Sequence, residues 1–102
     1  MTAIDRLFGA ACTLSEQDLR KRVAEWRALR DRATSVEDLD GGVGLTLAAD
    51  EPIVGVADLV ARESDCCPFY TFDLRVDGPG RRLEVTAGQG GEPAVRALLG
   101  LA

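Results

Sequence analysis

Residues 36–47 read VEDLDGGVGLTL, and the parsing of this stretch decides the fold. Two apolar-containing runs, 36–39 and 43–47, flank Asp40-Gly41-Gly42. Acid-Gly-Gly is a turn signal, and Val43, Leu45 and Leu47 alternate as they do on a half-buried strand. The stretch therefore predicts a β-hairpin.

Upstream, Leu19, Val23, Trp26 and Leu29 or Arg30 recur at helical spacing, which predicts an amphipathic helix over 15–33. Thr13 with Glu16 and Ser15 with Asp18 both have the hydroxyl-then-acid form that caps a helix start. Cys12 then lies just outside that helix N-terminus. Downstream, Asp50 before Glu51-Pro52 predicts a second helix, with proline in the first turn where its missing donor is not needed. That helix carries Ile53, Val56, Leu59 and Val60 and ends near Cys67, because the residue before Pro68 is pushed toward extended geometry.

A second hairpin is expected from 69–76 and 82–87, joined by Asp77-Gly78-Pro79-Gly80. Tyr70, Phe72, Leu74 and Val76 share one face of its first strand, opposite Phe69, Thr71, Asp73 and Arg75. Residues 88–91 read as a flexible joint, and 93–99 as a short last helix with Val95, Leu98 and Leu99 inward. The order αββαββα predicts an α+β two-layer sandwich, a mainly antiparallel four-stranded sheet with helices on one face. With 102 residues the chain matches one domain, 1–102. An uncovered edge of such a sheet can pair with a second copy across a two-fold axis, giving a homodimer.

Apolar residues make up 46% and charged residues 28% of the chain, the balance of a soluble globular protein. A net charge of −5 opposes direct nucleic-acid binding unless basic residues segregate onto one face. Arg20, Lys21, Arg22, Arg27, Arg30 and Arg32 fall in the first helix but alternate with Glu16, Asp18, Glu25 and Asp31. Spaced ion pairs on a solvated face account for that pattern. No stretch approaches the roughly 20 apolar residues of a membrane span, and the start lacks the pattern of a secretory signal. A cytoplasmic location is expected, where three cysteines, an odd number, stay reduced.

The chemistry concentrates in ESDCCPFY, residues 63–70. On a helix, Val56, Val60, Glu63 and Cys67 form one stripe, so an acid falls on the inward face. Such an acid must be paired, protonated or placed at the rim of a site. Adjacent cysteines diverge by about 100° in a regular helix; the helix end at Pro68 is where Cys66 and Cys67 can converge. Cys12 can supply a third sulfur if the start of the first helix packs near the end of the second. Three thiolates without histidine suit a soft ion, mercury(II), copper(I) or arsenic(III), better than zinc, which favours four ligands. Zinc would need Glu63 or Asp65 as its fourth ligand.

Cys12-Thr-Leu14, Trp26-Arg-Ala-Leu29, Glu63, then Cys66-Cys-Pro-Phe69 and Phe72 form a spaced pattern over about residues 10–100. It resembles a group of small bacterial domains with a C-C-P-F motif that occur alone or attached to regulators of the mercury-responsive type. The resemblance implies an accessory or sensing module and brings no enzymatic activity with it. This chain has no helix-turn-helix pattern, so a transcription regulator would be its partner.

Three functions stay open on the residues. The first is a soft-metal or metalloid binding module, accessory to metal sensing or detoxification, with Cys12, Cys66 and Cys67 as ligands and Glu63 at the rim. The second is an enzyme, either cleaving carbon–mercury bonds as organomercurial lyases do, with Glu63 as the acid, or acting in thiol redox chemistry. The third is an interaction domain whose cysteines only pack, since cysteine is often a small buried apolar residue.

Overall fold

The computed structural model describes residues 15–88 and 90–101. The hairpin expected around Asp40-Gly41 is formed by β1 (Ser35–Leu39) and β2 (Gly42–Leu47), with Val36 opposite Leu45 and Asp38 opposite Val43. Gly41 takes φ 79°, a region that favours glycine. Gly42 is required for a different reason. A Cβ there would stand 1.9 Å from the Val85 carbonyl oxygen and 2.8 Å from the Thr86 Cα, both on the neighbouring strand. That strand is β4 (Gly80–Thr86), paired on its other side with β3 (Thr71–Asp77) through the tight Gly78-Pro79 turn.

Sheet order is β1-β2-β4-β3, and every neighbouring pair is antiparallel. Val43, Val85 and Phe72 lie in one row across the sheet and Leu45, Leu83 and Leu74 in the next. These rows form the apolar face, with Val43, Leu45, Leu83 and Val85 fully buried. Alternation sends Thr46, Arg82 and Glu84 to the other face, where Arg82 pairs with Glu37 and Glu84 at 2.9 Å each. Hydrogen bonding to Glu84, the largest effect, holds the Arg82 guanidinium above its ordinary range against desolvation, and attraction to Glu37 adds to it.

Three helices among the described residues cover the apolar face: α1 (Glu16–Arg32), α2 (Ile53–Cys66) and α3 (Glu92–Leu98). The predicted α+β sandwich is thus the observed one. Trp26 of α1 stacks on Phe72 of β3 with ring centroids 5.6 Å apart, and Val95, Leu98 and Leu99 are buried beneath α1 and the sheet. The Ser15 hydroxyl caps α1 by accepting the Asp18 N–H at 3.2 Å. The Thr13 cap lies outside the described residues.

Two of the boundaries that position the site differ from the sequence reading. The second helix starts at Ile53, with Pro52 as an extended N-cap and no side-chain cap. Asp50 does not serve it, and the Glu51 carboxylate turns instead to the Arg32 guanidinium at 3.0 and 3.3 Å. Strand β3 starts at Thr71 rather than 69, because Cys67-Pro68-Phe69 turns the chain back under α2. Phe69 accordingly packs against the core, on Tyr70 at 4.3 Å, instead of facing away from it. The charged face of α1 also does more than expected: besides Arg20–Glu16 on the surface, Arg30 donates to the Gly100 carbonyl at 3.1 Å and ties α1 to the end of α3. No described helix is long and apolar enough to cross a membrane.

Candidate metal centre

The buried stripe of α2 is Val56, Leu59, Glu63 and Cys66, three or four residues apart. Sequence spacing placed Cys67 on this stripe, and the structure places Cys66 there. Cys67 is nonetheless fully buried, by leaving the helix. As the residue before Pro68 it takes φ −132° and ψ 81°, while its N–H still donates to the Glu63 carbonyl at 2.8 Å. The chain turns off the helix axis at that residue. One ligand atom each from Glu63, Cys66 and Cys67 then lies within 4.8 Å of the others.

Glu63 is not at a rim. Only 1% exposed, its Oε1 accepts the Trp26 indole N–H at 2.6 Å and faces the Arg22 guanidinium at 3.7 Å. The other oxygen, Oε2, lies 3.9 Å from the Cys66 sulfur. Trp26 is the core residue that its spacing predicts, yet its ring edge also supplies the donor that a buried acid requires.

Arg22 is the residue that sequence reasoning left on the solvated face of α1. It is 9% exposed, and its Nη1 donates to the Cys66 sulfur at 3.2 Å. A signal was present: Arg22 stands three residues after Leu19 and four before Trp26, on the inward stripe. Outside it Glu25 receives both Arg22, at 3.7 Å, and Arg62, at 2.8 and 3.0 Å. Hydrogen bonds to Glu25, then Asp58, hold the Arg62 guanidinium above its ordinary range, so it remains a fixed cation beside the site. A surface depression of about 310 Å³, lined by Asp18, Lys21, Arg22, Glu25 and Arg62, opens over this corner. Arg22 stands between that depression and the Cys66 sulfur.

Asp65 is exposed and, among the described residues, belongs to no ligand group with the cysteines. Cys12 lies outside the described residues. Fold and site together define a small α+β domain with a buried carboxylate and two thiols at the C-terminal end of a helix. Comparisons with protein-family models, curated proteins and solved structures found no match.

Proposed function

We propose that the protein is a binding module for a soft, thiophilic metal or metalloid ion, held by Cys66 and Cys67 with the Glu63 carboxylate beside them. The observation that carries this reading is the convergence of those three ligand atoms within 4.8 Å, away from water. Metal–thiolate bonds of about 2.3 Å set two sulfurs on one ion about 3.8 Å apart in tetrahedral and about 4.6 Å apart in linear geometry. A span of up to 4.8 Å needs little closing for either.

Charge narrows the choice of ion. Two thiolates, the Glu63 carboxylate and the Arg22 guanidinium sum to −2, and buried net charge is costly. A divalent soft ion such as mercury(II) brings the group to neutrality; copper(I) leaves one negative charge. Arsenic(III), which takes three sulfurs, calls on Cys12 as well. Zinc likewise calls on Cys12, with Glu63 rather than the exposed Asp65 as its fourth ligand. The resemblance to domains that accompany mercury-responsive regulators agrees with a role in sensing or detoxification. Thiols that must stay reduced to bind suit the cytoplasm.

Cleavage of a carbon–mercury bond is the weaker reading. It would need Glu63 to deliver a proton to the leaving carbon, whereas its Oε1 is held by the Trp26 N–H at 2.6 Å and its Oε2 lies against the Cys66 sulfur at 3.9 Å.

Reduced protein titrated with mercury(II), copper(I) and arsenite should show thiolate-to-metal absorption saturating at one ion per chain. The sole tryptophan, in contact with Glu63, should change its emission at the same equivalence point. Both cysteines also belong to the apolar core, so each variant is checked for retained secondary structure. Unchanged binding in a folded Cys66→Ser, Cys67→Ser double variant rejects the assignment.

A further inference from the structure

The four-stranded sheet ends in β1 and β3, and the two edges differ in what they offer another strand. An antiparallel self-pairing of β1 centred on its middle residue sets Glu37 against Glu37. Both acids of that strand are also engaged already, Glu37 with Arg82 and Asp38 with Arg96. Edge β1 is thus guarded by like charge. Edge β3, TFDLRVD, is self-complementary. About a two-fold axis at Leu74, Asp73 faces the partner's Arg75, Phe72 faces the partner's Val76, and Leu74 faces its own copy.

Hydrogen-bond phase agrees with this register. In a hairpin with a two-residue loop, the residues flanking the loop form a hydrogen-bonded pair, and bonding alternates from there. Asp77 lies opposite Gly80, Arg75 opposite Arg82 and Asp73 opposite Glu84. The backbone groups of Asp73, Arg75 and Asp77 therefore serve β4, and those of Phe72, Leu74 and Val76 point to the open edge. In the proposed register these same three residues bond their counterparts. Asp73 and the partner's Arg75 then fall at a non-hydrogen-bonded position, where side chains approach most closely. Val76, 53% exposed, is one of the large apolar side chains that the chain leaves to solvent, and the Arg75 side chain is 68% exposed.

We infer that β3 pairs with β3 of a second copy, joining two four-stranded sheets into one continuous sheet across a two-fold axis. Asp73 and Arg75, which pair within one strand at 3.2 Å, exchange partners across the axis. The net charge of −5 opposes association in general, so the attraction is local to this strand.

Sedimentation velocity over a concentration series, with amide hydrogen exchange on the same samples, tests the interface. Mass should rise from monomer to dimer with concentration, and the Phe72, Leu74 and Val76 amides should gain protection in parallel. Arg75→Asp should lower association at least tenfold, and adding Asp73→Arg to it should restore the dimer. A monomer at every concentration, or a dimer indifferent to Arg75→Asp, overturns the inference. So does concentration-dependent protection at β1, which means the other edge pairs. Protection of the three β3 amides that is independent of concentration assigns the edge to the protein's own chain and overturns it equally.

Discussion

Arg22 shows how one side chain changes the character of a buried thiol. Without it, Cys66 would be a small apolar residue on an inward helical stripe; with a guanidinium 3.2 Å from its sulfur, the thiolate gains a charged donor. Replacing Arg22 with Gln removes the cation and keeps a side chain over the sulfur. The pH midpoint of Cys66 alkylation, followed by peptide mass spectrometry in folded protein, should rise. A midpoint that stays or falls would mean that Arg22 only fills space. Glu63 and Trp26 form the matching pair on the other side, donor and acceptor 2.6 Å apart in a region closed to water. Glu63 is the residue whose position the sequence made suspicious, and its partners explain why it is tolerated.

At the scale of the element, the end of α2 is what brings the sulfurs together. Helix geometry would separate the Cys66 and Cys67 side chains by about 100°, and Pro68 prevents that by taking Cys67 off the helix. Pro68→Ala lifts the restriction and lets α2 continue through Cys67. Affinity for mercury(II), measured by competition with a small dithiol, should fall about tenfold or more, while stability changes by only about 1 kcal/mol. Equal affinity in the variant would show that the bend is not needed. The hairpin element behaves differently, for Gly42 is set by the approach of β4 and has no part in the site.

For the molecule as a whole, charge and titration separate folding from binding. The chain has no histidine, so no side chain of ordinary pKa titrates between about pH 6 and about pH 8 except through its thiols. Arg62 and Arg82, held above their ordinary range by carboxylate partners, contribute stability that is present through the neutral range and lost above it, or in acid where those carboxylates protonate. Urea unfolding of the metal-free Cys66→Ser, Cys67→Ser double variant should therefore give a flat free energy from pH 6 to about pH 8. Metal affinity of the unaltered protein should climb over the same interval, because binding displaces thiol protons and higher pH favours their release. Affinity independent of pH would argue that the ligands are not thiols.

The order αββαββα, the paired hairpins and the inward faces of β2 and β3 were all legible in the chain, because alternation and turn residues act over a few neighbours. Element ends were less so: Asp50 reads as a cap locally, yet Glu51 is drawn to Arg32 nineteen positions away and the helix starts later. The site divides in the same way. By itself the sequence determined that an acid and a thiol share one face of a helix stopped by proline, since spacing and the proline ring are local constraints. Only the tertiary structure decided that Cys66 takes the stripe, that Cys67 turns in beside it, and that Arg22 and Trp26 of another helix supply charge and hydrogen bond. Those contacts span 37 and 44 residues of chain, and they follow from how α1 and α2 pack on the sheet, which no local pattern encodes.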